Sequence, residues 1–345
     1  MIFLFLSTRV KYAKKMMLFR SFILAALLLA AYTHEYYAQG FYSSRMWKVQ
    51  KHEYTLQLGA SNFLGELGGR DQIGSDFLWD LEFNQTKFAG SLSYMMYLGE
   101  RVGIRAQGGV QRVAGNDNTT TEIFRQNRNL HFRANIYDFT TTIEFHIIKE
   151  KYGNLYNLKS NLGKKLGLKK VNVGFYTFFG LGGFYFNPQA QNPSNGMWVD
   201  LAPLGTEGQG LEGGPEPYKK YGVIVPVGFG LRYGLSREWG IKLELAHRFT
   251  FTDYIDDVST VYYDNDAIAN AYGSQAAYFA NPTLNIIPTY TDGTYEYNPT
   301  KAGMQRGDPT DRDGYMYAVL GVYYRPRATA KGRYRGGSRR IKASF

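Results

Sequence analysis

Eight long segments in which apolar and polar residues alternate with a period of two constrain this chain more than any other feature. They cover residues 52–62, 86–97, 102–113, 133–148, 171–186, 221–235, 240–252 and 315–325. Alternation of this kind marks a β-strand with one apolar and one polar face. Within 133–148, Tyr137, Phe139, Ile143, Phe145 and Ile147 oppose Asp138, Thr140, Thr142, Glu144 and His146. Within 221–235, Val223, Val225, Val227, Phe229, Leu231 and Tyr233 oppose Gly222, Gly228, Gly230, Arg232 and Gly234. An ordinary soluble strand has about 5–6 residues. A tilted membrane strand needs about 9–11, with a lipid face and a lumen face. The lengths favour the membrane strand; a soluble sandwich would carry the same alternation in shorter runs.

The connections point the same way. Residues 98–101 and 236–239 are long enough only for tight turns, whereas 63–85, 114–132, 187–220 and 253–314 are long. Short periplasmic turns alternating with long outer loops are how outer-membrane barrels are built. The expected fold is therefore all-β: an eight-stranded antiparallel transmembrane β-barrel of the outer-membrane type, with long extracellular loops. An even strand number places both ends of the barrel on the periplasmic side. Residues 149–170 break the rule, being long where a short turn is expected.

Ahead of the strands, Arg9, Lys11, Lys14, Lys15 and Arg20 precede an apolar run at 21–31. That run is too short to span a bilayer as a helix, which takes about 20 residues. It fits the core of a secretory signal, with cleavage expected after Ala38. The expected organisation is a signal region at 1–38, the barrel at 39–325 and a basic tail at 326–345. Cysteine is absent, which excludes disulfides, thiolate metal sites, a cysteine nucleophile and a lipoprotein anchor.

Eight strands enclose a narrow lumen that side chains fill. On the strand phase above, Arg105, Asp138, Glu144, Arg232, Lys242, Glu244 and Arg248 point inward. Buried charges must pair, so a packed, charge-paired lumen is expected rather than a pore.

The net charge of +11 invites a nucleic-acid reading, but its placement argues otherwise. Residues 149–170 hold seven lysines and one glutamate, net +6, and residues 325–345 hold eight Lys/Arg and no acid, net +8. Loss of residues 1–38 removes five positive charges and one negative, leaving +7, so everything outside the two basic segments carries −7. Both segments belong to the periplasmic side, beyond a membrane and without a nucleic-acid motif, so no nucleic-acid partner is expected. Lys149, Lys151, Lys159, Lys164, Lys165, Lys169 and Lys170, with Arg327, Lys331, Arg333, Arg335, Arg339 and Arg340, are the candidate docking residues for an acidic periplasmic partner.

Catalytic signatures are lacking. His52, His131, His146 and His247 are not in metal-ligand spacing, and no nucleophile elbow or phosphate loop is present. Residues 308–314 resemble a calcium loop, but Pro309 disrupts the ligand pattern, and a plain acidic turn is expected. His146 beside Glu144 is expected to be a charge-network histidine. No cofactor, metal or enzymatic activity is expected. A lipid hydrolase built around His146 or His247, and a small barrel of the OmpA or OmpW kind that anchors or carries hydrophobic molecules, are the rival readings.

Several motifs carry a resemblance: residues 62–69 (NFLGELGG), 180–188 (GLGGFYFNP), 198–210 (WVDLAPLGTEGQG), 226–230 (PVGFG), 248–262 (RFTFTDYIDDVSTVY) and 306–308 (RGD). With these, roughly residues 53–325 resemble the PorG family, the small outer-membrane barrel of the type IX secretion system. The resemblance implies an outer-membrane component, held by outer-membrane lipid, that contacts a periplasmic ring of a PorK-like lipoprotein and a PorN-like protein. It implies a role in protein secretion and in some cells gliding, and no catalytic residue. Asp253, Asp256 and Asp257, at the outer exit of the seventh segment, are expected to order the long loop by pairing with lumenal arginines or with one another's backbone.

Overall fold

The computed structural model describes residues 46–67, 85–120, 122–150, 173–287, 290–291 and 296–326. Residues 1–38, where a secretory signal is expected, lie outside the described residues. A short helix, α1 (Met46–Val49), leads into the first strand. The strands are β1 (His52–Leu64), β2 (Lys87–Tyr97), β3 (Val102–Asn116), β4 (His131–Ile148), β5 (Val173–Gln191), β6 (Trp198–Asp200), β7 (Tyr221–Gly234), β8 (Trp239–Thr250), β9 (Tyr290–Thr291), β10 (Glu296–Tyr297) and β11 (Gly314–Tyr324). The outer loops add helices α2 (Ile123–Arg128), α3 (Asn265–Tyr272) and α4 (Ser274–Ala280).

The ladder runs β4-β3-β2-β1-β11-β8-β7-β5, and β5 pairs with β4 to close it, every pairing antiparallel. Closure removes the unpaired strand edges that lipid cannot satisfy and excludes the open sandwich. The eight ladder strands match the eight periodic segments. Their phase is as the alternation requires: along β4, even-numbered residues from 132 to 146 are buried and odd-numbered ones are half-buried or exposed. The turns after β2 and β7 are tight. Leu98 and Gly99 N–H donate to the Val102 carbonyl, and Leu235 and Ser236 N–H to that of Trp239.

The outward face is a belt of bulky apolar side chains. Leu92 and Leu181 are each 64% exposed, Phe139 62% and Leu320 59%. Aromatics end the belt on both sides: Tyr54, Tyr94, Tyr233, Trp239 and Tyr324 toward the short turns, Phe88, Tyr137, Tyr185 and Tyr221 toward the loops. A belt this large and continuous is incompatible with water and is the surface of a barrel that stands in lipid.

Inside, glycine makes room for aromatics. Gly228 and Gly230 on β7 face Phe178 and Tyr176 on β5 in register. A Cβ at Gly230 would lie 2.4 Å from the Tyr176 ring, and one at Gly228 2.5 Å from the Phe178 ring. At these two positions glycine is a packing requirement of large inward rings.

Three strands outrun their sequence boundaries. β3, β4 and β5 rise beyond the membrane belt at the loop end, β5 reaching Gln191 although the expected strand stops at 186. Pro188 does not end it, because its carbonyl accepts from Leu201 N–H while Gln189 goes on to pair with Arg133 and Asp200.

Candidate functional site

The lumen holds an ion-pair network and, nearer the loops, a separate pair linked to it through the Tyr317 ring. Arg105 on β3 reaches Glu244 on β8 with both terminal nitrogens, at 2.5 and 3.3 Å, and lies 3.4 Å from Glu144 on β4. Tyr176 and Tyr317 hydroxyls donate to the same Glu244 carboxylate at 2.8 and 2.7 Å. Arg232 donates to Glu144 at 3.1 Å and pairs with Glu53, while Lys242 lies 2.7 Å from Glu53. Nearer the loops, Arg248 lies 2.8 Å from Asp138, which also accepts from Tyr315 at 3.1 Å. The structure thus brings all seven charged residues assigned to the lumen inside the barrel, and each is buried.

Three further members complete the network. Glu53 sits on the inner face of β1 beside Thr55 and Gln57, a row overshadowed by its apolar opposite face. Glu150 lies just beyond β4, past the alternating segment that ends at 148, whereas Arg325 closes the segment 315–325 in phase with inward Tyr323 but belongs by composition to the basic run 325–345. Arg325 lies 2.8 Å from Glu53 and pairs with Glu150, which accepts from the Tyr323 hydroxyl at 2.5 Å. With these three included, Arg105, Arg232, Lys242, Arg248 and Arg325 balance Glu53, Asp138, Glu144, Glu150 and Glu244 charge for charge. Buried ions tolerate low dielectric only when so paired.

Of the candidate docking residues, only Lys149 lies among the described residues. Lys149 is an ion-pair partner of Glu100 across the short-turn end rather than a free charge, because β4 and the 98–101 turn end side by side. Glu150 and Arg325 are drawn into the base of the lumen and leave the exposed charge of their segments. Lys151, Lys159, Lys164, Lys165, Lys169 and Lys170, with Arg327, Lys331, Arg333, Arg335, Arg339 and Arg340, lie outside the described residues.

His146 is 3.2 Å from Glu144 and lies against the rings of Tyr97 and Tyr176, inside the network. His247 is on the outward face of β8, packed at 4.0 Å against Phe249. The two histidines of the hydrolase reading therefore stand on opposite sides of the barrel wall.

The loops form a second site by closing the outer mouth. Leu67, Leu130, Leu201, Ile255, Val258 and Phe279 bury themselves on Phe63, Phe132, Phe184, Phe186 and Tyr315 at the barrel rim. Arg306 is the hub of the polar part. Its Nη1 donates to Glu207 at 2.9 Å and to the Asp257 carbonyl at 2.6 Å. Glu207 in turn accepts from Ser259 N–H at 2.9 Å and the Thr260 hydroxyl at 2.7 Å. The Asp257 carboxylate accepts from Thr206 and Tyr218. Arg128 on α2 pairs with Asp117 at 2.8 Å and donates to the Arg306 carbonyl at 2.7 Å. Gly208 is needed here: its φ is +76°, and a side chain would strike the Tyr263 ring at 2.4 Å.

The aspartates at the exit of β8 therefore act locally. Asp257 pairs with the loop residue Arg306, at 3.9 Å, rather than with a lumenal arginine. Asp256 accepts from Val258 N–H at 3.0 Å and Leu67 N–H at 3.3 Å. Asp313 accepts from Ile255 N–H at 2.7 Å, so the acidic stretch before β11 is a loop anchor, and exposed Asp308 caps its own turn at Thr310. Burial raises the Asp253 carboxyl to about 8, Glu66 to about 7 and Asp257, despite Arg306, to about 6. Burial, then the neighbouring carboxylates, hold Asp313 well above its ordinary range; Asp256 is raised for the same reasons. The mouth is thus capped by apolar packing around a carboxyl-rich core whose members burial shifts toward higher pKa.

No family model matches the chain, and no curated protein matches it. Among solved structures the chain is similar to Neisserial surface protein A, at 5% identity over 80% of this chain and 97% of that one, with a TM-score of 0.35. It is similar to the attachment invasion locus protein Ail of Yersinia pestis, solved with the heparin analogue sucrose octasulfate, at 10% identity over 80% and 99%, with a TM-score of 0.32. It is also similar to the outer membrane protein AlkL in lipid bilayers, at 11% identity over 87% and 100%, with a TM-score of 0.31. At these scores the fold rests on the chain's own strand pairing and lipid-facing belt: a closed eight-stranded barrel of the outer-membrane type.

Proposed function

We propose that this barrel is a non-enzymatic anchor of the type IX secretion machinery, a PorG-like protein that holds a periplasmic ring of PorK-like and PorN-like proteins at the outer membrane. The ion pair between Glu150 and Arg325 carries the proposal. It staples together the described ends of the two basic segments, at the short-turn end that faces the periplasm in barrels of this type. An acidic partner could therefore meet both segments at one place. The charge-filled lumen and capped mouth fit a part whose work is attachment rather than passage. The sequence motifs at 198–210 and 248–262 support the same reading, because they supply Glu207, Asp256 and Asp257 to the cap.

The test is deletion of the gene, followed by assay of proteins that carry a C-terminal secretion signal. Their retention in the cell is the expected result; unchanged secretion removes the proposed role. Replacing the basic residues of 151–170 and 327–342 by glutamine should then abolish co-purification of the ring while leaving the barrel in the membrane.

A further inference from the structure

The outward face of the β3-β4-β5 extension carries a feature that neither the sealed lumen nor the docking role uses. Val110, Tyr137, Tyr185 and Tyr221 stand in register on adjacent strands and form one exposed row at the loop-side edge of the lipid belt. Two residues beyond, about 7 Å along the strands, comes a polar row of Arg112, Asn135 and Asn187, also in register. One step higher stands Arg133, beside Gln189.

The two guanidiniums are held by neutral groups. Arg112 Nε donates to Asn135 at 2.8 Å. Arg133 donates through Nε and Nη2 to the Gln189 side-chain oxygen, both at 3.1 Å, and stacks 3.6 Å over the ring of Trp198. The nearby Asp200 carboxylate accepts the amides of Asn187 and Gln189 on its Oδ1, at 2.8 and 2.7 Å, and pairs with neither guanidinium. Burial, and after it the Arg112 guanidinium, push the Arg133 pKa down; among the described residues no carboxylate counters them. Lys220 adds a third cation by donating to Asn187 at 2.9 Å. Amides and an indole thus fix the orientation of charges that they leave unneutralised, which is how an arginine is prepared for a bidentate phosphate.

We propose that Arg112 and Arg133 form a binding site for the phosphate of an outer-leaflet lipid headgroup. The position selects a lipid over a free anion. Tyrosines at a membrane edge mark the headgroup level, and these arginines lie directly beyond them on the face that looks into the bilayer rather than on the loop crown. A lipid seated there would place its chains along Tyr137 and Phe139 and its phosphate between the two forks. The site would hold a shell of anionic lipid against one side of the barrel.

The experiment is native mass spectrometry of the purified barrel in neutral detergent with added diphosphorylated lipid A. Wild-type protein should retain the lipid, and Arg112→Gln/Arg133→Gln should retain about tenfold less, a loss of about 1.4 kcal/mol. Arg112→Lys/Arg133→Lys, with charge but no planar fork, should fall between. Arg101→Gln at the opposite end should bind as wild type, controlling for net charge, and far-UV circular dichroism should show every variant folded. Lipid A stripped of its phosphates should bind wild type as weakly as phosphorylated lipid A binds the glutamine variant. Undiminished binding by the glutamine variant, equal binding of the stripped lipid, or full displacement by an equal concentration of inorganic phosphate would each overturn the proposal.

Discussion

Arg105 and Glu244 join opposite walls of the barrel. Arg105 stands on β3 and Glu244 on β8, and the ladder places three strands between them in either direction. A single side-chain pair therefore crosses the full lumen, and the tyrosines that flank it leave the carboxylate fully engaged. Removing one partner strands a buried charge. Arg105→Ala should lower unfolding stability in a urea titration by about 3–5 kcal/mol. Arg105→Met with Glu244→Gln, which removes both charges, should cost less than the single substitution. Equal losses would show that the pair is not the source of the stability.

Gly230 is a second test of the packed interior. Its missing side chain is filled by Tyr176. Gly230→Val should destabilise the barrel by about 1–3 kcal/mol through overpacking, and combining it with Tyr176→Ala should recover part of the loss. A silent Gly230→Val would mean that the interior is loose enough to yield.

The outer cap should open separately from the barrel. Arg306→Ala leaves Glu207 and the Asp257 carbonyl without their shared donor. Amides at 255–260 should then exchange at least about tenfold faster, since a local opening can lose more than 1.4 kcal/mol without global unfolding. Exchange in the centres of β7 and β8 should not change. Acceleration throughout the strands would show that cap and barrel unfold as one unit.

Acidity should tighten the cap. The carboxyls of Glu66, Asp253 and Asp257 titrate higher in the folded protein than in an unfolded chain. Their contribution is present below the unfolded pKa of about 4 and is lost as pH rises through about 6, 7 and 8 in turn. The groups around Asp253 are mainly acidic, namely Glu66, Glu207, Asp256, Asp311 and Asp313, with Arg128 and Arg306 as the nearby cations. Hydrogen exchange of the cap, corrected for its intrinsic pH dependence, should rise between pH 4 and 8, and Asp253→Asn should flatten that rise. A cap that tightens with pH would contradict this.

The barrel was legible in the sequence because its lipid face and lumen face alternate on every strand. Tyr137 beside Asp138 and Leu231 beside Arg232 are unambiguous once the period is recognised. The network was legible only within the strands. Glu150 folds inward from a position past the end of its alternating segment, and Arg325, although in phase with inward Tyr323, heads a basic run that reads as uniformly exposed. The cap was less legible again. Arg306 and Glu207 are 99 residues apart, and no local pattern connects them. Asp257 was placed correctly at the mouth, but its cation comes from another part of the same loop rather than from the lumen.

A sealed lumen is the central claim, and flux through the reconstituted barrel tests it most directly. Liposomes carrying the purified protein should hold a glucose gradient as well as empty liposomes do, and planar bilayers should show no steady conductance. Arg306→Ala, which loosens only the cap, should also remain closed, because the pairs from Arg105 to Arg325 still fill the lumen. Rapid glucose entry or a stable open current in the wild-type protein would contradict the sealed barrel and restore a transport role.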